Sequence, residues 1–526
     1  MKRRDYFILF LFGVVVHGAF ALLQKVPGYM DAEYYFGQGI QLVTEHNLNE
    51  PFIWNYLNNP AVMPVAGFSF WLPFTSFLSA AGTWLTGSTS FIAGRILFIL
   101  IAAAIAPITA KLAYYFSGKK RVGWLAGGLA IFSGLFFPYL TITDTFTPFM
   151  FLGALFLLLL LDIQESQSSA RRVFFLCTVL GIITGLMTLT RSDGILWLAG
   201  GFLGIVLINK KTLITKKTFL FNFLFILGFS LVMLPWYLRN YQLYGTGYPP
   251  GNGLMLWLTK YDNLFVYPYS LVNKDIWMSQ NYALIINDRL TALWSNLKTL
   301  FSAGGVIILW PLMAVGFWQN RKKIPVIVGI VMLAIIFLVM SIIFPYAGER
   351  GGFFHSLSSI QPLLWAFVPC GLDGLIQWGV DHRNWKTDRA WRMFGSALVV
   401  LAGCLSVFIM FTKVKNGVEG VPWNETQKTA QLVDAKIVEM TDNQSGIVMV
   451  NNPPGYTLAT GRLSVMIPSG GAEAVLSVCN KYSVIFLVVD NERSEIKNLL
   501  VENGPLDASF KILYENGSVW VYEYQP

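Results

Sequence analysis

The sequence predicts an α-helical polytopic membrane protein with about eleven transmembrane helices and a small C-terminal α/β domain outside the membrane. Three observations carry this prediction. Apolar blocks recur at nearly the length of a bilayer crossing, Lys and Arg are confined to alternate loops between them, and the composition changes after Phe411. Hydrophobic residues make up 55% of the 526 and charged residues only 13%, against about 25% charged in ordinary soluble domains. A mean hydropathy of +0.54 leaves too little polar surface to cover a water-soluble globule.

The first block, 6–23, follows Met1-Lys-Arg-Arg and lacks a small-residue cleavage site, so it reads as an uncleaved helix with a cytoplasmic N-terminus. Further spans are expected at about 91–115, 122–140, 144–162, 172–188, 192–209, 218–236, 302–318, 324–344, 356–378 and 394–412, since roughly 20 helical residues cross the hydrocarbon core. Basic loops at 119–121, 171–172, 210–217, 321–323 and 383–392 are assigned to the cytoplasm. The intervening loops, with the tail, then face outward. Residues 67–85 are apolar enough to cross, but a crossing there would invert every later loop. They read as re-entrant or interfacial; if they cross, and another span is broken differently, the count rises to twelve or thirteen.

The chain thus divides into a membrane region, 1–413, and a soluble extracytoplasmic domain, 414–526. Two outward loops, about 25–66 and 237–300, exceed what a connector needs. In the first, Ala32, Tyr35, Phe36, Ile40 and Val43 fall at helical spacing and predict a helix lying along the membrane surface. In the tail, 446–450, 483–489 and 518–523 read as strands, with helices at 471–479 and 492–502. Three Asn-X-Ser/Thr tripeptides, at Asn424, Asn443 and Asn516, fall in the exposed tail.

Composition also excludes function classes. The net charge of +9 is spread over topology loops rather than gathered with aromatics on one face, so no nucleic-acid partner is expected. The four cysteines show neither a disulfide framework nor a zinc spacing. No nucleotide-binding glycine fingerprint follows the tail strands.

Ionisable groups near the membrane are costly and mark function, and four outward constellations contain them. Tyr29-Met-Asp31-Ala-Glu33-Tyr-Tyr35 follows the first helix. There Asp31 is an N-cap candidate, with Glu33 complementing the dipole, and equally a general-base candidate for a hydroxyl acceptor. Asp144 lies in Thr141-Ile-Thr-Asp-Thr-Phe-Thr147 and is again a cap or a site carboxylate. Thr190-Arg191-Ser-Asp193-Gly194 forms an ion pair with a cap. Pro235-Trp-Tyr-Leu-Arg239-Asn-Tyr and Glu349-Arg350-Gly-Gly-Phe-Phe-His355 place guanidinium groups just outside helices, where they snorkel or clamp a phosphate. Trp54 lies in the first outer loop.

At these residues the sequence resembles the GT-C glycosyltransferases, in particular bacterial relatives of protein O-mannosyltransferases and of the lipid A aminoarabinose transferase. The resemblance rests on Asp31-Ala-Glu33-Tyr-Tyr, Asp144 at an outer turn, the 189–194 turn and the 235–241 run. It implies a GT-C-like fold and an inverting hexosyltransferase that moves a sugar from a polyprenyl-phosphate donor. The acceptor is a hydroxyl of a lipid, glycan or protein, met at the outer face of the cell membrane. It makes Asp31 the catalytic base, with Glu33 and Asp144 its acidic partners and Asp144 beside the donor phosphate. Independently of the resemblance, a departing phosphate calls for positive charge, for which Arg239, Arg350 and Arg191 are the candidates. Tyr35, Trp54, Asp193, Glu349 and His355 are the candidate substrate contacts. No cofactor is demanded; Asp31, Glu33 and Asp144 can hold a divalent metal. Residues 34–66 contain no Lys or Arg, so any phosphate contact the family makes there must come from elsewhere. A lipid-linked glycan carrier, or a non-catalytic envelope assembly protein, is the alternative.

Overall fold

The computed structural model describes residues 1–209, 215–418, 420–442, 444–490, 496, 498–500, 504, 506–517 and 519–525. Lys210 and Lys211, Asn443 and most of the helix expected at 492–502 lie outside the described residues. Eight described helices are long and apolar enough to cross a membrane: Arg3–Ala21, Phe91–Ser117, Phe146–Glu165, Ala170–Thr190, Lys216–Tyr244, Ile324–Ile343, Gln361–Arg383 and Thr387–Asn416.

Three expected spans are shorter than anticipated. The block at 122–140 is helical only over Lys120–Ile131 and turns 3-10 from Gly134 to Tyr139. The block at 192–209 is a 3-10 turn running into Trp197–Ile208. The block at 302–318 is broken before Trp310–Asn320, because Val306 and Ile307 take positive φ angles of 47° and 60°. β-branched residues rarely adopt that conformation, which is why hydropathy read straight through it. The ambiguous stretch 67–85 supplies the helix Phe74–Thr86. Its 13 residues span about 20 Å, short of a bilayer core of about 30 Å.

The helices pack through small residues, as helices in lipid must. A Cβ on Gly228, in Lys216–Tyr244, would lie 2.0 Å from the Thr178 carbonyl oxygen of Ala170–Thr190. Gly228→Leu is therefore expected to cost at least about 1–3 kcal/mol, read as a lower thermal-unfolding midpoint of the purified protein. An unchanged midpoint would mean that these helices do not touch there.

The two ends of the bundle differ in chemistry. At one end Lys119 and Arg121 pair with Asp373, and Lys323 donates to the Phe116 carbonyl. At the other end of the same Phe91–Ser117 helix, Phe91 packs on Phe36 and Arg95 donates to the Gln24 carbonyl. The basic loops at 119–121 and 321–323 thus lie at the end opposite Phe36 and Gln24.

The polar end carries the sheets. The strands are β1 (Asn49–Glu50), β2 (Phe52–Ile53), β3 (Val65–Ala66), β4 (Ile447–Val450), β5 (Ser464–Met466), β6 (Val484–Asp490), β7 (Phe510–Glu515) and β8 (Val519–Tyr524). β1 pairs with β3, and the other six form one sheet in the order β2-β5-β4-β6-β8-β7. β2, β5, β4 and β6 are parallel, while β8 is antiparallel to both β6 and β7. The loop after the first helix therefore lends an edge strand to the tail.

The helix Met30–Thr44 also departs from expectation. It buries Ala32, Glu33, Tyr34, Tyr35, Phe36, Gln38 and Gly39. Phe74–Thr86 packs on one side of it and the tail helix Pro453–Thr460 on another. It is an interior helix between bundle and tail rather than a surface one. Trp423, fully buried, donates its indole N–H to the Val26 carbonyl at 2.9 Å. Asn424 grips the Lys25 amide and the Leu23 carbonyl, so its side-chain amide is engaged in structure.

Candidate active site

Met30–Thr44 begins at Tyr29, whose extended backbone makes it the N-cap residue, so Asp31 sits inside the first turn and does not cap. Its carboxylate is free for other contacts. The Trp71 indole N–H donates to Asp31 Oδ1 at 3.1 Å, and Asp31 Oδ2 lies 4.0 Å from His355 Nε2. The Asp31 side chain remains 36% exposed, so one edge of it is open.

Asp144 is fully buried and likewise does not cap, since Phe146–Glu165 takes Thr145 as its N-cap residue. Tyr29 donates its hydroxyl to Asp144 Oδ2, and the Thr145 amide and hydroxyl donate to Oδ1. Thr143 donates to the Ala32 carbonyl at 2.8 Å, which ties the Asp144 turn to the helix of Asp31. His355 reaches the same place from the segment between Ile324–Ile343 and Gln361–Arg383. It stacks on Phe146 with ring centroids 3.9 Å apart, and its Nδ1 lies 2.9 Å from Thr145 Oγ1 and 3.7 Å from Asp144 Oδ1.

Arg191 supplies the nearby positive charge. Its Nε donates to Asp193 Oδ1 at 2.8 Å, and Nη2 reaches the Gly352 carbonyl and Ser356 Oγ at 3.3 Å. The field of this guanidinium acts on Asp31, on His355 and on the neighbouring buried Tyr35. Burial, with Asp144 nearby, pushes the Asp31 carboxyl up to about 7 against the pull of Arg191 and of the Trp71 hydrogen bond. Burial drives His355 down to about 4, so at neutral pH it is an uncharged imidazole.

Several expected members lie elsewhere. Residues two apart on a helix do not share a face, and Glu33 accordingly accepts from Asn452 Nδ2 at 2.7 Å, toward the tail. Arg239 lies within a helix rather than beyond one. It donates to the Gly67 carbonyl at 2.8 Å and covers the Trp236 ring. Arg350 is exposed over the Tyr261 ring, with half-buried Glu349 beside it, and neither meets the Asp31 cluster among the described contacts. Trp54 donates to Met30 Sδ at 2.8 Å and packs against Trp71. Trp71 was missed, whereas Thr145 lay in the run 141–147. Trp71 sits in the segment whose topology was ambiguous, and nothing in its neighbours points to Asp31.

The ligand atoms of Asp31, Asp144 and His355 lie within 4.8 Å of one another. Two carboxylates and a neutral imidazole suit a divalent transition metal, so this donor set fits such an ion.

A polytopic helical bundle whose polar end carries large loops and a mixed α/β cap is the GT-C architecture, and the chain has this fold. It is similar to the oligosaccharyltransferase of Archaeoglobus fulgidus in the apo form, with a TM-score of 0.61 at 13% identity over 100% of this chain and 75% of that one. It is similar to ArnT of Cupriavidus metallidurans bound to undecaprenyl phosphate, at TM-score 0.58, 11% identity, 99% of this chain and 98% of that chain. The mycobacterial arabinofuranosyltransferase AftD matches at TM-score 0.52 and 12% identity, over 99% of this chain but only 42% of its own length. No protein-family profile matches the chain, and no curated protein matches it by sequence.

Proposed function

We propose that this protein is an inverting glycosyltransferase that moves a sugar from a polyprenyl-phosphate donor to a hydroxyl acceptor at the extracytoplasmic face of the cell membrane. The observation that carries the reading is Asp31, an accessible carboxylate oriented by Trp71 and set beside Asp144, His355 and Arg191. The resemblance of fold to ArnT, solved with undecaprenyl phosphate, supports the donor class. The charge alternation of the loops supports a cytoplasmic N-terminus and an outward tail.

In this reading the acceptor oxygen attacks the anomeric carbon from the face opposite the phosphate. Asp31 takes the hydroxyl proton as the new C–O bond forms. The bond between the anomeric carbon and the phosphate oxygen breaks, and its electron pair leaves on polyprenyl phosphate. The departing group gains negative charge, which calls for positive charge more than for a proton donor. Arg191, whose field reaches Asp31 and His355, is our candidate to supply it in place of the Lys and Arg that 34–66 lacks. Tyr29 holds Asp144 against the His355 side of the site. The clustering of ionisable groups at one end of the bundle, rather than at its middle, favours an enzyme over a carrier.

The test is release of polyprenyl phosphate from undecaprenyl-phosphate-linked sugars by the protein in sealed proteoliposomes. Movement of intact donor between leaflets without bond cleavage would sink the reading.

Asp31, Asp144 and His355 would hold the metal, if one is resident, and it would supply charge neutralisation beside the leaving phosphate. The Archaeoglobus oligosaccharyltransferase has been solved with zinc and sulfate. In chelator-treated protein, transfer is expected to rise with pH through about 7, because Asp31 accepts a proton only when ionised. Manganese added to that protein is expected to bind, by electron paramagnetic resonance, and His355→Ala to abolish the binding. An acid limb near pH 4 would contradict the electrostatics described for Asp31.

A further inference from the structure

Beside the Asp31 cluster, but separate from it, the first outer loop folds around a cavity of 290 Å³. Its aromatic wall is Trp54, Phe70 and Trp71, with Trp54 centred 4.4 Å from each of the other two rings. Trp71 belongs to both places, since it lines the cavity and donates its indole N–H to Asp31. One indole therefore separates this space from the carboxylate.

The polar wall is made of amides. Asn55 Oδ1 accepts from the Leu57 amide, Asn58 Oδ1 from the Gly251 amide and Asn59 Oδ1 from Lys481 Nζ, at 3.1, 2.7 and 3.0 Å. Each contact fixes which end of the side chain is oxygen. Each leaves the NH2 group without a partner among the described residues, so three asparagines line one cavity with donors to offer. No Lys or Arg lines it. Its one carboxyl, Glu50, is buried and accepts from the Tyr34 hydroxyl and the Phe68 amide. Burial pushes Glu50 up to about 7, which reduces the charge it presents.

With no Lys or Arg in its lining, and the adjacent Lys481 ammonium held by Asn59 Oδ1, this cavity offers a phosphate little positive charge. Its size, at the lower end of ligand pockets of about 300–1,000 Å³, suits a sugar ring better than an extended peptide. Aromatic faces match the C–H face of a pyranose, and amide donors match its hydroxyl oxygens. We infer that this cavity is the acceptor subsite and that the acceptor is a neutral carbohydrate, which presents a hydroxyl past Trp71 to Asp31. The inference rests on the transfer reading above and names the substrate class at that site. The acceptor oxygen joins the anomeric carbon, its proton passes to Asp31, and polyprenyl phosphate departs with the electrons of the broken bond.

The experiment uses full-length Asp31→Asn protein in nanodiscs, so that binding is read without turnover. The probes are maltotriose, cellotriose and chitotriose, with a serine- and threonine-containing octapeptide as the competing class, followed by saturation-transfer NMR. At least one trisaccharide is expected to bind Asp31→Asn as it binds the wild type. Ser69→Trp, which fills the cavity, and Phe70→Ala, which removes part of its aromatic wall, are each expected to weaken that binding by about tenfold or more. Thermal unfolding of each variant separates loss of the site from loss of the fold. Absence of trisaccharide binding, or peptide binding that Ser69→Trp removes, would overturn the inference. If the wild type transfers the sugar to the peptide and releases polyprenyl phosphate, glycosyl transfer stands and only the acceptor class fails. Trisaccharide binding by a protein that cleaves no donor would overturn the transfer reading and the acceptor role with it.

Discussion

Asp31→Asn is expected to lower sugar transfer by about two to four orders of magnitude, the usual weight of a general base. Asparagine keeps the shape of the side chain, and its carbonyl oxygen can still accept the Trp71 indole N–H that holds Asp31 at 3.1 Å. What is lost is the ability to accept a proton. Donor binding should persist, because the proposed phosphate partner, Arg191, is anchored by Asp193, Gly352 and Ser356 rather than by Asp31. The effect should therefore fall on kcat rather than on donor affinity. Glu33→Gln supplies the contrast. Glu33 lies two residues away but faces Asn452, so its neutralisation should alter thermal stability more than transfer. Full activity in Asp31→Asn would move the base elsewhere in the site.

The second large effect is expected at Trp423, a fully buried tail residue. Trp423→Ala should cost about 3–5 kcal/mol, as for other buried tryptophans. The indole N–H would no longer reach the Val26 carbonyl, and the edge-on contact with Tyr29, at 5.6 Å between ring centroids, would vanish. Gly28 shows how tightly the ring is seated, since a Cβ there would come within 2.2 Å of the indole nitrogen. Tyr29 donates to Asp144, so loosening it should also depress transfer. Thermal unfolding and transfer assays on one preparation test both halves. An unchanged midpoint would show that the tail does not grip the bundle at this point.

Much of the fold was legible because its signals are compositional and local. Apolar blocks near bilayer length, and basic residues in alternate loops, need no knowledge of tertiary contacts. The strands at 447–450, 484–490 and 519–524 announced themselves by β-branched runs. What escaped was non-local. β2 and β5 are two and three residues long, too short for any periodicity, and β7 was not read as a strand. The Asp31–Asp144–Arg191 grouping was legible because charge at a membrane is expensive wherever it lies. The direction in which a charge points was not. Glu33 is turned away by helical geometry, and Arg239 is spent on the Gly67 carbonyl. His355 is brought in by a kinked segment in which Gly351 takes a φ of 104°. No residue near Trp71 in sequence marks it as the neighbour of Asp31.

The edge strand that the loop after the first helix gives to the tail sheet also sets an order of events during synthesis. Phe52 and Ile53 pair with Ser464 and Val465, and Tyr56 donates to the Met466 carbonyl, 410 residues further along. At translation rates of about 5–20 residues per second, the loop emerges roughly 20–80 seconds before its partner exists. During that interval β2, which carries the cavity-lining Ile53, has no strand to pair with, and Asn59 lacks Lys481. A nascent chain arrested before residue 464 should therefore have a protease-sensitive first loop, and one released after the tail is complete should not.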